Sequence, residues 1–71
     1  MIDKDKTKME WATNIKLLRE KMLLTQTEFA EKIGVSFASI NRWENGVHEP
    51  TMKVKRELMK LFKKYGIVED K

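Results

Sequence analysis

The chain has 71 residues and no cysteine, so it has room for one small domain and excludes disulfides, thiolate metal sites and thiol nucleophiles. Hydrophobic residues make up 41% and charged residues 37%, a balance typical of a compact helical domain and not of a disordered chain. The formal net charge is +4. Residues 53–64 supply it with six basic side chains against one acidic one, whereas residues 1–52 balance to zero.

The first predicted helix follows a polar segment. Residues 1–8 alternate in charge without an apolar period, so we expect a flexible N-terminal segment there. From residue 9 onward, apolar residues recur at the spacing of one face of an α-helix: Trp11, Ile15, Leu18 and Met22. This stripe predicts a helix over residues 9–22 with those four side chains in the core.

The second predicted helix has signals at both ends. Thr25 and Glu28 have the spacing of a capping box, in which each side chain accepts the backbone N–H of the other residue. Leu24 and Phe29 flank the cap at the spacing of a hydrophobic staple. Gly34 can adopt the left-handed conformation that ends a helix. Together these residues predict a helix over 26–33.

A third helix is predicted only two residues later. Ser36 offers another N-cap, and the helix would run from Phe37 to Trp43 or Glu44. The pair at 45–46, Asn-Gly, would end it, since both residues tolerate positive φ.

The fourth helix begins after the loop 47–50, where Thr51 is the expected cap. Its apolar stripe consists of Val54, Leu58, Leu61, Phe62 and Tyr65, and Gly66 is its expected stop. No segment shows the period-2 alternation of a strand. We therefore expect an all-α domain over residues 9–66, followed by a C-terminal tail at 67–71.

The second and third helices together describe a helix-turn-helix, because two short helices are joined by a tight turn that contains Gly34. Ala30 is small enough to allow a close crossing. By helical periodicity, the outward face of the third helix presents Phe37, Ala38, Asn41, Arg42 and, just past its end, Asn45. Asn and Arg make bidentate hydrogen bonds to adenine and guanine edges, and Ala and Phe can lie against a thymine methyl.

The segment TQTEFAEKIGVSFASINRWENG at residues 25–46 resembles the helix-turn-helix of the Xre family, the type found in lambdoid-phage Cro proteins and repressors. The resemblance extends from about Ile15 to Phe62, and its hallmark positions are 24–26, 29–30, 33–35, 39–40 and 42–46. It implies a compact lambda-repressor-like fold of four, or four to five, helices with the helix-turn-helix at its centre.

The resemblance also implies roles for individual residues. The recognition helix, residues 37–44, would enter the major groove and contact bases with Phe37, Ala38, Asn41 and Arg42. Phosphate contacts would come from Gln26, Thr27, Ser36, Ser39, Asn45 and Lys53. A buried ion pair typical of the family would join Arg19 and Glu44. Phe37 departs from the family, since it is bulkier and less polar than the glutamine often found at its position.

Two functional hypotheses follow. The first is a small transcriptional regulator that binds double-stranded DNA in a bacterial or phage-derived cytoplasmic setting. Many relatives dimerise through a fifth helix that residues 65–71 do not supply, so we expect at most a weak homodimer that forms on DNA. The alternative is a protein-interaction module, antitoxin-like or an adaptor, with an apolar contact patch formed by Met59, Tyr65, Ile67 and Val68.

An enzyme is not expected. The chain has one histidine, His48, and no cysteine, and it contains no Gly-rich phosphate loop and no carboxylate pair in a plausible cleft. We also expect no room for a substrate pocket of ~300 Å³. No catalytic residue, metal site or cofactor is therefore predicted. No apolar run reaches the ~18 residues of a membrane span, so no membrane partner is expected.

Overall fold

The computed structural model describes residues 10–68, which form four α-helices and no strand. In chain order these are α1 (Trp11–Lys21), α2 (Gln26–Ile33), α3 (Phe37–Glu44) and α4 (Met52–Lys64). The predicted all-α architecture is confirmed, and the predicted bounds of α2 and α3 match the observed ones. Helix α1 ends at Lys21, one residue earlier than predicted. The predicted N-terminal segment, residue 9 and residues 69–71 lie outside the described part of the chain.

Each helix contributes two side chains to the buried core, which therefore joins all four elements: Ile15 and Leu18, Phe29 and Ala30, Ile40 and Trp43, Leu58 and Phe62. Trp11 and Met22, the outer members of the predicted α1 stripe, are half-buried and pack against this core. The Trp11 ring lies 5.7 Å from that of Phe62, between centroids, at a tilt of 40°. The predicted core role is therefore confirmed for Ile15 and Leu18, whereas Trp11 and Met22 lie at the edge of the core.

The N-terminal caps of the helix-turn-helix form as predicted. The Glu28 backbone N–H donates to Thr25 Oγ1 at 3.1 Å, and the Thr25 N–H donates to Glu28 Oε1 at 2.9 Å. At the start of α3, the Ser39 N–H donates to Ser36 Oγ at 3.1 Å. Gly34 takes the left-handed conformation between the two helices, with φ of 88°. These local bonds fix where α2 and α3 begin and how the turn between them closes.

The Asn-Gly pair at 45–46 ends α3 as predicted, and one of its two residues is left-handed. Asn45 keeps a negative φ of −88°, and only Gly46 is left-handed, with φ of 76°. The reason is that one left-handed residue completes the reversal. The Gly46 N–H donates to the Trp43 carbonyl at 3.1 Å and the Val47 N–H donates to the Arg42 carbonyl at 2.9 Å, which is the bonding pattern of a Schellman motif.

Helix α1 ends in the same motif but without a glycine. The Leu23 N–H donates to the Glu20 carbonyl at 3.0 Å, and the Leu24 N–H donates to the Arg19 carbonyl at 3.2 Å. Leu23 therefore occupies the left-handed position, with φ of 60°, and its side chain is 89% exposed. For a residue with a Cβ atom, the left-handed conformation is less stable than the right-handed one by roughly 1–2 kcal/mol. Sequence reasoning did not anticipate this turn, because leucine is not a left-handed signal.

None of the helices in residues 10–68 is both long enough and apolar enough to cross a membrane.

Candidate nucleic-acid interface

Helix α3 has two distinct faces. Ile40 and Trp43 are buried in the core, whereas the four residues proposed to contact bases are exposed. Successive residues of an α-helix advance by about 100°, so Phe37, Ala38, Asn41 and Arg42 fall within an arc of about 140° on the opposite side. We call these four residues the α3 face. The core contacts of Ile40 and Trp43 fix the orientation of α3, so that the α3 face is exposed to solvent.

The α3 face divides into an apolar part and a polar part along the helix. Phe37, 51% exposed, and Ala38 occupy the first turn. Asn41 and Arg42 are exposed one turn later. Within residues 10–68, no hydrogen bond or ion pair engages the side chains of Asn41 or Arg42. Their donors and acceptors are therefore available to a ligand.

The two serines at the start of α3 are bonded to one another. Their hydroxyl oxygens lie 3.0 Å apart, and either can be the donor. Ser36 is exposed and Ser39 is half-buried. The pair has two hydroxyl hydrogens and the mutual bond uses one, so one remains to donate to an outside acceptor such as a phosphate oxygen.

The start of α2 has free donors of a different kind. The first turn of a helix leaves four N–H groups without intrahelical partners, and the capping box satisfies those of Thr25 and Glu28. The N–H groups of Gln26 and Thr27 remain, at the positive end of the helix dipole, an arrangement that suits an anion. Thr27 is exposed and Gln26 is half-buried.

A partly buried network connects α1, α2 and α3, so the predicted buried ion pair of Arg19 and Glu44 forms but keeps some contact with solvent. Arg19 Nε donates to Glu44 Oε2 at 2.7 Å and Arg19 Nη2 donates to Glu44 Oε1 at 3.0 Å, a bidentate ion pair. A third donor, Arg19 Nη1, reaches the Leu24 carbonyl at 3.1 Å. The side chains of Arg19 and Glu44 are 15% and 5% exposed. The hydrogen bond to Glu44 raises the pKa of the Arg19 guanidinium, which therefore stays charged.

Gln26 belongs to this network, which sequence reasoning missed. Its Nε2 donates to Glu44 Oε1 at 3.0 Å. One hydrogen of the Gln26 amide is thereby committed, and the other remains for a contact with DNA. The Glu44 carboxylate has about four lone-pair sites, and the bidentate bond from Arg19 fills only two of them. The spare acceptor sites were a signal that another donor, here Gln26, would bond to Glu44. No buried side-chain nitrogen or oxygen of residues 10–68 is left without a partner.

Only part of the basic segment of α4 is available for phosphate contact. Lys53 is exposed in the first turn of the helix. Lys55, by contrast, makes a 2.7 Å ion pair with Glu49 and lies 5.1 Å above the Trp11 ring. Asn45, the remaining predicted phosphate contact, is exposed directly after α3. The sequence alone did not separate Lys53 from Lys55, since the difference depends on the α3–α4 loop and on α1.

The proposed protein-contact patch does not stand out from the domain. Met59, Tyr65, Ile67 and Val68 are half-buried and pack against the core. The large apolar side chains with the greatest exposure within residues 10–68 lie elsewhere, at Leu23, Met52, Val47, Phe37 and Leu17. Of these five, Phe37 belongs to the α3 face.

The expectation about pocket size is wrong. Two surface grooves have volumes of about 530 and 310 Å³. The first runs along the outer side of α1 beside Lys16, Leu17 and Glu20, and the second lies between α2 and α4 beside Ile33 and Leu61. Both grooves lie on the outside of packed helices, where the small size of the core does not limit their volume. Within residues 10–68, no three His, Asp or Glu side chains are grouped to hold a metal ion.

Comparison with known proteins agrees with this architecture. A family model described as a helix-turn-helix matches residues 15–68, most of the chain. No curated protein and no solved structure gives a significant match. The matched segment begins in α1 and includes all of α2, α3 and α4, so the resemblance inferred from residues 25–46 is confirmed. The chain belongs to the Xre/Cro/C1-type helix-turn-helix family of DNA-binding regulators.

Proposed function

We propose that this protein is a transcriptional regulator that recognises a specific double-stranded DNA sequence with α3 in the major groove. The observation that carries the proposal is the α3 face, in which four side chains suited to base edges are exposed together while Ile40 and Trp43 anchor the helix from behind. The major groove is ~12 Å wide and admits an α-helix. A helix fixed by its own core can present such a face without a change in fold.

Two residues of the α3 face supply hydrogen bonds to bases. Arg42 can donate both bonds of a pair to O6 and N7 of a guanine, and Asn41 can bond N6 and N7 of an adenine. Each such bidentate contact discriminates against a wrong base by ~1–3 kcal/mol. Neither side chain has a partner within residues 10–68, so no bond in the domain has to break before they bind.

Phosphate contacts would surround this face and fix its orientation. We assign them to the α2 N-terminus at Gln26 and Thr27, to the hydroxyls of Ser36 and Ser39, and to two exposed side chains that follow α3, Asn45 and Lys53. The network through Glu44 holds Gln26 in place for this role. Such contacts position a protein on the duplex and carry no sequence information.

We further propose that residues 9–66 form the DNA-binding unit, preceded by an N-terminal segment at 1–8. Of the C-terminal segment 67–71, the first two residues, Ile67 and Val68, pack against the core of this unit. Two copies would assemble weakly and mainly on DNA, where they would bind half-sites one helical turn apart, ~34 Å. The alternative role in protein binding has less support, because the patch proposed for it packs against the core of the domain.

Selection of bound duplexes from a random pool tests the proposal. We expect an enriched sequence made of two inverted half-sites, with binding that weakens as salt rises. For about five phosphates neutralised per domain, log K should fall with log salt at a slope of about −4.5. Recovery of no enriched sequence would contradict sequence-specific binding, and an affinity independent of salt would contradict the phosphate contacts.

Chemical-shift mapping during titration with the selected duplex adds a spatial test. We expect changes at residues 26–27 and 36–45. Changes confined to residues 58–68 would instead support the protein-interaction alternative.

A further inference from the structure

We infer that the first turn of α3 recognises the C5-methyl group of a pyrimidine, so that the preferred half-site places a thymine or a 5-methylcytosine against Phe37 and Ala38. The inference rests on the proposed function, since it assumes that the α3 face meets base edges. The inference specifies which base is preferred at one position of the half-site, a position that Asn41 and Arg42 do not contact.

The first observation is the composition of this turn. Phe37 and Ala38 are adjacent and exposed, and neither side chain has a hydrogen-bonding group. The nearest side-chain hydroxyls, those of Ser36 and Ser39, lie outside the α3 face and bond to one another, and we assign the hydroxyl hydrogen that remains to a phosphate. The first turn of the α3 face therefore meets a ligand with an apolar surface.

The major groove of DNA offers few apolar groups against which such a surface can pack. Its base edges carry hydrogen-bond donors and acceptors, and the single apolar group among them is the methyl on C5 of thymine. Pressing Phe37 against a donor or acceptor would remove that group from water without giving it a partner, which is costly. Packing against a methyl group removes apolar surface on both sides, which is favourable.

The position of this base relative to the others follows from helix geometry. Phe37 and Asn41 are four residues apart, which corresponds to a rise of ~6 Å along α3. Stacked bases are ~3.4 Å apart. The methyl-bearing pyrimidine should therefore lie at most about two base pairs from the position recognised by Asn41 or Arg42, on the side of the α3 N-terminus.

The test uses the full chain and the best duplex from the random-pool selection. Each thymine is replaced in turn by uracil, which removes the methyl group and leaves the hydrogen-bonding groups unchanged. We expect one position per half-site at which affinity falls about fourfold, the factor that corresponds to one buried methyl-sized group. If uracil binds as well as thymine at every position, the inference is wrong.

Variants of Phe37 assign the effect to this side chain. Phe37→Ala should bind the thymine and uracil duplexes equally, whereas Phe37→Leu should keep most of the discrimination because it retains an apolar surface. Leu17→Ala is the matched control, since it removes a partly exposed apolar side chain from α1 and should leave the thymine-to-uracil ratio unchanged. A ratio that persists at about fourfold in Phe37→Ala would overturn the assignment.

A last arm separates the two sources of the methyl group. At the sensitive position, the thymine–adenine pair is replaced by a guanine pair with cytosine or with 5-methylcytosine. Tighter binding of the 5-methylcytosine duplex by about fourfold would show that the methyl group is recognised in either base. Equal binding of these two duplexes would restrict recognition to thymine. Failure of the initial selection would instead count against the proposed function itself.

Discussion

We assign different tasks in DNA binding to α3 and α4, and the two helices differ in charge and exposure. The α3 segment is nearly neutral, with Arg42 and Glu44 of opposite sign, but it exposes a face of mixed chemistry and is anchored by the core. The α4 segment at 53–64 holds the excess of positive charge and buries Leu58 and Phe62. The net positive charge of this domain therefore lies outside the helix to which we assign sequence recognition.

The two helices also differ in how their charges are paired. Glu44, the last residue of α3, is 5% exposed in a bidentate pair with Arg19. Glu57, in α4, is 62% exposed and lies 3.8 Å from Lys60. Buried pairs are costly to break, whereas exposed pairs contribute little. The Arg19–Glu44 pair therefore holds α3 against α1, whereas the Glu57–Lys60 pair of α4 is a feature of the surface.

The largest expected effect tests this difference. Glu44→Ala should lower the free energy of unfolding by about 3 kcal/mol, because it leaves the Arg19 guanidinium buried without its carboxylate and removes the acceptor of Gln26. Glu57→Ala is the matched control and should change stability by less than ~0.5 kcal/mol. Chemical denaturation of both variants provides the measurement. Similar losses in the two variants would contradict the distinction between the pairs.

The next effect concerns the α3 face. Arg42→Ala should weaken binding to the selected duplex by ~1–3 kcal/mol and relax the preference at one base position, with little change in stability because the side chain is exposed. A competition assay against duplexes with every base at that position measures both quantities. An unchanged base preference would remove Arg42 from the set of specificity residues.

A third change lies outside both helices. Leu23→Gly should raise the free energy of unfolding by about 1 kcal/mol, because glycine adopts the left-handed conformation without the cost of a Cβ atom. Thermal unfolding checks the expected rise. The affinity for the selected duplex should stay constant, which would show that stability and recognition can be changed separately. A fall in stability would mean that Leu23 makes a favourable contact that outweighs the strain.

The smallest expected effect distinguishes two lysines of α4. Lys53→Ala should reduce the magnitude of the salt slope by about 0.9, the contribution of one phosphate contact. Lys55→Ala should leave the slope unchanged, because Lys55 is engaged by Glu49 and by the Trp11 ring. Binding titrations over a range of salt concentrations compare the two variants. A larger change in the slope from Lys55→Ala would reverse the assignment.

Local signals explain why much of the fold could be predicted from the sequence. The bounds of α2 and α3 follow from Thr25, Ser36 and Gly34, each of which acts on residues at most five positions away. The α1 stripe and the exposed α3 face follow from helical periodicity. Such features depend on neighbours in the chain and can be inferred before tertiary structure is known.

The features that were missed depend on contacts between distant residues. Gln26 bonds to Glu44, 18 residues away. Lys55 lies over Trp11, and its ion pair reaches Glu49 across the start of α4. Leu23 was missed for a different reason: the hydrogen bonds that end α1 are local, but leucine is not a residue that signals a left-handed conformation. No local pattern distinguishes these residues from ordinary surface side chains.

One measurement tests the proposed division between α3 and α4 most directly. It is the ratio of the affinities for the selected duplex and for a scrambled duplex, determined for the wild-type protein, Arg42→Ala and Lys53→Ala at one salt concentration. We predict that Lys53→Ala weakens both affinities equally and preserves the ratio. Arg42→Ala should instead lower the ratio by about thirtyfold, which corresponds to ~2 kcal/mol, the midpoint of the range for one bidentate base contact. A ratio that falls equally in both variants, or that Arg42→Ala leaves unchanged, would contradict the account.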